Sequence, residues 1–438
     1  GLRRKSERHF FTRGLGEQKS HPRNHKHSRR KAGVFLSYAI LSSMQPNWLF
    51  DLSVVLTLAT VFGFVVHRLR LPLIVAYLGV GISIGHFFPD LSDRVPIFSV
   101  LAQIGIVAML FIIGMQLDLR RLRELGGSIV LVGLLQISLT TLFGWLIGVL
   151  FHLSWMMAFF VAFCLSMGST LVVSKVLGER HDLGKLYGRI SLSILLLQDF
   201  VAAIALVFLA SRQHVTTVLP ENAWTWIGWG LFTMGIIWIA RRMAIALLPF
   251  AAKSQELLLL FAVAWGLGFA AWFTLPGASS ELGALIAGIL LASTPYRFEI
   301  AAKLRPFRDL FLVLFFLLIG SAVSWTPLST LTGLWIALLA FVLFVKPVIV
   351  YLLLFGSSHG KRASFLVALT QGHMSEFSLL LVALAAKSGI VASEIAFLLI
   401  VVSMISMAFS SMIMLYGPSM FIFFQPLLNF FSRKHDAQ

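Results

Sequence analysis

Thirteen apolar runs, each near the length of a membrane crossing, leave this chain few folds to choose from. A helical crossing needs about 20 mostly apolar residues. Runs of that kind cover residues 48–66, 72–88, 96–117, 126–151, 154–177, 186–210, 223–248, 254–273, 280–293, 306–323, 328–355, 363–386 and 393–417, with brief connections between them. Inside hydrocarbon every backbone N–H and C=O must be paired within the protein, so spanning segments are helices or closed barrels, and runs this long read as helices. Composition points the same way: of 438 residues 58% are hydrophobic and only 12% charged, outside the range of soluble domains. The chain is therefore read as an all-α polytopic membrane protein with about 13 transmembrane helices. Its single cysteine, Cys164, lies within an apolar run and excludes a disulfide framework or a cysteine zinc site.

Lysine and arginine set the orientation. Of the 35 in the chain, 11 fall in residues 1–43; of the remaining 24, 20 lie in connections on one side, three on the other, and Lys346 inside a run. The positive-inside rule makes the rich side cytoplasmic, which places the start of the first span outside and the C-terminus inside. Residues 1–43 oppose this arrangement, since they are strongly basic and would stand outside. They are read as a disordered segment that arises from a mis-assigned start, the rival being a genuine basic arm or transit peptide. The expected organisation is 1–43 as that segment, 44–417 as the transmembrane domain, and 418–438 as a short cytoplasmic tail without a nucleotide-binding regulatory domain. Within the tail, Met420–Phe431 is apolar but too short to cross, as an interfacial segment would be.

Two runs are interrupted. The fifth reads LSMGSTLVVSKVL, with Gly168, Ser169 and Thr170 at mid-depth, and the twelfth reads LTQGHMSEFSLLL, with Gln371, Gly372, His373, Ser375 and Glu376 at comparable depth. Discontinuous helices at matching positions in two halves of a chain mark a transporter's binding site, because freed carbonyls and half-helix ends can replace a cation's water shell. Spans four to six and eleven to thirteen then become candidate inverted repeats. Asp199 lies midway along the sixth run and Lys346 midway along the eleventh. Intramembrane charges are costly to hold and usually line an ion or proton path. The competing reading is that small and polar residues merely permit close helix packing and that Asp199 and Lys346 form a structural pair.

The chain resembles the monovalent cation:proton antiporter-2 family, and within it the membrane part of the glutathione-gated potassium efflux proteins, over roughly residues 48–417. The resemblance rests on LAQIGIVAMLFIIGMQLDLRRL at 101–122, LSMGST at 165–170 with VLGER at 176–180, LLLQDF at 195–200, ELGALIAGILLASTPYR at 281–297, RPFRDLFLVLFFLLIG at 305–320, Lys346, and QGHMSEFSLLL at 371–381. It implies a sodium/proton antiporter-like fold with two crossed broken helices, and a homodimer in which a core moves against a fixed scaffold. It also implies that Asp199 binds cation and proton in turn, with Lys346 as its charge partner. Where relatives often have serine before the Ser-Thr pair, this chain has Gly168.

Read from the residues, one carboxylate that holds either a proton or a hard monovalent cation, never both, makes exchange obligatory. Gln198, Ser169 and Thr170 are the expected oxygen donors beside Asp199, while Glu376, Ser375 and Gln371 are candidates for a relay or a structural role. Gln198 stands where related exchangers carry a second aspartate, and since it cannot hold a proton the exchange is expected to be electroneutral. The function expected is therefore K⁺ or Na⁺ exchange for H⁺ across a plasma membrane, with the bilayer as the other partner. No cofactor, metal or nucleic acid is expected, and no nucleophile triad or phosphate loop suggests an enzyme. Two alternatives stay open: a sodium-coupled solute symporter of similar fold, and a channel-like or receptor-like protein in which the charged pair is a latch.

Overall fold

The computed structural model describes residues 48–87, 96–116, 126–215, 223–275, 279–321, 331–357 and 359–432. Residues 1–43, read above as a basic segment, and 433–438 of the tail lie outside them. The chain divides into two compact units, Gly1–Phe50 and Asp51–Gln438; of the first, only the beginning of α1 is described.

The apolar runs are helical where they are described, apart from breaks at 167–169 and 370–375 and single residues at run ends. In chain order the helices are α1 (Trp48–Arg68), α2 (Leu73–Phe87), α3 (Pro96–Gln116), α4 (Gly127–Leu150), α5 (Trp155–Ser166), α6 (Thr170–Glu179), α7 (Leu186–Val215), α8 (Ala223–Ala251), α9 (Gln255–Thr274), α10 (Ser280–Ala292), α11 (Arg297–Ser321), α12 (Thr332–Ala340), α13 (Lys346–Gly356), α14 (Lys361–Leu369), α15 (Glu376–Lys387), α16 (Ser393–Leu415) and α17 (Gly417–Ser432). Among the described residues, eight segments, counting α5 with α6 and α12 with α13 as single runs, are long and apolar enough to cross a membrane. Helix α11 begins nine residues before the apolar run 306–323, so that Pro306 lies inside the helix rather than at its start.

Two groups of helices pack separately. In the first, α3 lies against α10 and α11, α2 against α11, and α9 against α10 and α11. Glycine allows these approaches. A Cβ at Gly81 would come within 2.9 Å of the Gly320 Cα, and one at Gly288 within 2.8 Å of the Gly114 Cα, so the helices touch backbone to backbone. In the second group α4 packs on α5, α7 and α13, α7 on α14 and α15, and α16 on α12 and α15. Contacts of α7 with α10 and of α16 with α2 join the groups. The second group holds nearly all the buried polar side chains, including Gln136, Ser169, Gln198, Lys346, Gln371, His373 and Glu376. Apolar packing dominates the first group; hydrogen bonds between helices are concentrated in the second.

The eleventh apolar run contains a feature not expected from its sequence. Between α12 and α13 the chain makes a π-helical turn, Phe341–Val345, that delivers Lys346 to the next helix. Pro347 has no N–H to return to the carbonyl four residues back, and a wider turn absorbs the mismatch, as π-turns inside helices commonly do near functional sites.

Candidate functional site

Both breaks fall where polar residues and glycine interrupt the apolar pattern. Helix α5 ends at Ser166, and Met167–Ser169 is extended until Ser169 caps α6, its hydroxyl accepting from the Val172 N–H at 3.3 Å. Helix α14 ends at Leu369, and Thr370–Ser375 is irregular until Ser375 caps α15, accepting from the Phe377 N–H at 3.1 Å. Serine suits this position because its oxygen satisfies one of the unpaired amides that open a helix.

The two breaks meet. The Ser169 N–H donates to His373 Nε2 at 3.0 Å, and His373 Nδ1 lies 3.1 Å from the Ser410 hydroxyl on α16. With Nε2 accepting, the imidazole proton sits on Nδ1 and is donated to Ser410. Ser406, one turn earlier on the same face, accepts from the Met374 N–H at 3.3 Å. The Ser378 hydroxyl donates to the Cys164 carbonyl at 2.7 Å. Free backbone groups at the crossing thus find partners inside the protein, the condition for unwound chain at membrane depth.

Lys346 serves that backbone. Its ammonium, fully buried, donates to the Met167 and His373 carbonyls, each at 2.8 Å. These carbonyls belong to the two breaks, just beyond the C-terminal ends of α5 and α14, where a helix presents partial negative charge. No ion pair within 4.0 Å joins Lys346 to Asp199; the described ion pairs involve Asp182 and Asp309.

Asp199 is at the other end of the first break. Its Oδ2 accepts from the Thr170 hydroxyl at 2.6 Å, Thr170 being the first residue of α6, while Oδ1 is buried and has no hydrogen-bond partner among the described residues. Glu376, first residue of α15, likewise keeps a buried Oε2 without a partner. Two carboxylates therefore stand at the two N-terminal half-helix ends, where partial positive charge favours them. Each has an oxygen with lone pairs to spare.

Gln198 has a further task. Its Oε1 accepts from the Gly168 N–H at 2.7 Å, and its Nε2 donates to Gln136 Oε1 at 2.6 Å and Gln371 Oε1 at 3.1 Å. It ties α4, α7 and both breaks together. Gly168 permits the approach: a Cβ there would fall 2.8 Å from Leu195 Cδ2 and 3.2 Å from Gln198 Oε1. Gln136 was absent from the residues expected in the site. It is the one amide side chain of α4, followed closely by Ser138, Thr140 and Thr141, and its own Nε2 donates to the Ser166 carbonyl at 3.0 Å. An amide midway along an apolar run was the available signal; the structure buries it fully. The structure thus gathers Ser169, Thr170, Gln198, Asp199, Lys346, Gln371, Ser375 and Glu376 around one crossing. Thr170 touches Asp199, Gln198 and Gln371 share a neighbouring hydrogen-bond network, and Lys346 occupies the carbonyl side.

Among curated relatives, the glutathione-regulated potassium-efflux system protein KefC of Klebsiella pneumoniae subsp. pneumoniae is 30% identical over 347 residues, 78% of this chain and 56% of that protein. K(+) efflux antiporter 5 of Arabidopsis thaliana is 28% identical over 387 residues, 84% of this chain and 66% of that protein. The matched region therefore spans 56–66% of the length of these two relatives. Among solved structures, the sodium proton antiporter MjNhaP1 from Methanocaldococcus jannaschii superimposes with a TM-score of 0.55 over 87% of this chain and 97% of that one, at 16% identity, a likeness of fold. The family model described as sodium/hydrogen exchanger, transmembrane, matches residues 54–415. The chain belongs to the sodium/hydrogen exchanger transmembrane family.

Proposed function

We propose that this protein exchanges a monovalent cation, K⁺ or Na⁺, for H⁺, with Asp199 as the site that each occupies in turn. The observation that carries this reading is the carboxylate's position: one oxygen held by Thr170, the other buried and unpartnered, at the start of a half-helix. Such an oxygen is costly to leave ionised and alone. It takes up a proton or a cation, and the exclusion of one by the other couples the two fluxes. The Thr170 hydroxyl and freed carbonyls of the breaks supply further oxygen; Ser169 and the carbonyl of Gln198 stand beside them.

Residues 44–417 form the transport domain in this reading, in a plasma membrane, with the lysine- and arginine-rich connections cytoplasmic and the start of the first span outside. The helix group around α4–α7 and α12–α16 moves against the group around α2, α3 and α9–α11, and the active unit is a homodimer. Lys346 balances the crossing electrically, acting on Asp199 through the broken backbone. With Gln198 unable to carry a proton, one cation exchanges for one proton. Glu376 is the residue whose protonation would add a second charge, with Ser375 and Gln371 holding the segment before it.

The test is proteoliposomes of the full chain loaded with a pH-sensitive dye. Wild type should alkalinise or acidify the lumen on K⁺ or Na⁺ jumps according to gradient direction. Asp199→Asn should assemble normally and give no cation-driven signal. Undiminished exchange by that variant would remove Asp199 from the mechanism.

A further inference from the structure

Away from the crossing, on the basic side of the helices, a cavity of about 450 Å³ opens between the turn joining α6 to α7, the start of α14 and the start of α17. Arg180, Lys185 and Arg362 line it against one carboxylate, Asp182. That carboxylate is already paired: Arg180 Nε lies 3.2 Å from Oδ2, Lys185 Nζ 2.5 Å from Oδ1, and the Tyr187 hydroxyl donates to Oδ2. Arg180 also donates from Nη1 to the Met414 and Leu415 carbonyls, both at 2.9 Å, and so closes the C-terminal end of α16. Asp182 balances one of three positive charges. Lys185, 63% exposed, and Arg362, also exposed, keep donors free for a ligand.

We propose that this cavity binds a phosphate-bearing anion, with the head group of an anionic phospholipid as the occupant the surroundings favour. Three cations around one space recognise phosphate oxygens through charge-assisted hydrogen bonds, and basic pockets between membrane helices are recurrent sites for acidic head groups. The remaining walls distinguish a lipid from free phosphate. Leu366 and Pro418 line the same cavity, surfaces with nothing to offer an inorganic ion and suited to a glycerol backbone and the first methylenes of a chain. Helix α17 then leaves the cavity with Phe421 and Phe424 packed on Phe365 and with Ile422 and Phe423 exposed. A short helix that keeps apolar side chains outward beside a basic pocket is placed to lie in the head-group region. A bound head group would tie the end of the first broken helix, through Arg180 and Lys185, to the start of α17.

The inference does not depend on the exchange proposed above, and its test involves no transport, so a failed exchange assay leaves it standing. Thermal unfolding of the full chain in detergent is followed by tryptophan fluorescence during titration with short-chain phosphatidylglycerol, with phosphatidylcholine, and with inorganic phosphate. Phosphatidylglycerol should raise the midpoint and phosphatidylcholine should not. The double variant Lys185→Gln with Arg362→Gln, which leaves the Arg180–Asp182 pair in place, should need about tenfold or more phosphatidylglycerol for the same shift. Inorganic phosphate alone producing the full shift, again weakened in the double variant, would keep the phosphate site and assign it to a soluble ligand. Equal shifts from the two lipids without any response to phosphate, or an unchanged response in the double variant, would overturn the proposal.

Discussion

Replacing Lys346 by methionine asks whether its ammonium serves the backbone of the crossing. Methionine keeps most of the stem's volume and removes the charge with its donors. Two hydrogen bonds of 2.8 Å disappear, to the Met167 and His373 carbonyls, in residues 1% and 0% exposed. A buried acceptor left without a donor costs about 1–3 kcal/mol, so the pair loses roughly 2–6 kcal/mol. Part of this is returned, because an ammonium held out of water carries a desolvation penalty that the variant no longer has. The expected net loss is about 2 kcal/mol, read as a fall of about 2 °C in the unfolding midpoint of purified protein in detergent, since the entropy of unfolding scales with chain length. Lys346→Gln carries two N–H donors on a chain one bond shorter and should recover about 1 kcal/mol by restoring one of the two bonds. The order is wild type, then Gln, then Met. A methionine variant as stable as wild type, or a glutamine variant no better than methionine, would refute the assignment. Restoration of the methionine variant by adding Asp199→Asn would show instead that the ammonium had been neutralising that carboxylate.

Asp182→Asn should destabilise the turn between α6 and α7. Burial works against ionisation of this carboxyl, but hydrogen bonds from Lys185 and Tyr187 and the charges of Lys185 and Arg180 outweigh it and hold the group below the usual carboxylate range. A lowered folded-state pKa gives stability that is complete above the unfolded value of about 3.9 and is lost as pH falls through the folded one. The midpoints of wild type and variant, scanned from neutral pH downward, should therefore differ at neutrality and converge at the acid end. Gly288→Ala should separate α3 from α10, since its Cβ would collide with the Phe111 carbonyl and lie 2.8 Å from the Gly114 Cα; overpacking of this kind costs about 1–3 kcal/mol, seen as lowered thermal stability, whereas Gly127→Ala, with nothing near its Cβ, should be close to neutral. Exchange in proteoliposomes should not respond to a diffusion potential, because a one-for-one cycle moves no net charge. If it does respond, Glu376→Gln should abolish the response while leaving exchange itself, and a response that persists in that variant would place the second charge elsewhere.

The sequence was most informative where a residue type is rare in its surroundings. An aspartate and a lysine inside apolar runs, and glycine with serine at mid-depth, located Asp199, Lys346 and both breaks to within a residue or two of where the structure has them. Gln136 was missed because one amide in α4 carries less signal than a charge. The serines of α16 were missed because their meaning lies in spacing: Ser403, Ser406 and Ser410 share a face, and Ser406 and Ser410 meet the second break. The partner of Lys346 was not legible at all. Its acceptors are backbone carbonyls, which every residue possesses, so no residue type at 167 or 373 announces the contact.

That contact changes how the charges at the crossing relate to one another. Each broken helix creates an end with exposed carbonyls and an end with exposed amides, equivalent to about half a charge of either sign. Lys346 stands at the carbonyls of both breaks, while Asp199 and Glu376 stand at the amide ends, beside Thr170 and at the start of α15. The backbone breaks therefore set where each ionisable side chain is tolerated, and the three are placed by the helices more than by one another. It follows that replacing a proton on Asp199 by a monovalent cation exchanges one unit positive charge for another beside an amide end, without removing any hydrogen bond made by Lys346. Under the exchange proposed, the ammonium can hold the crossing together through the whole cycle while the occupant of the aspartate alternates.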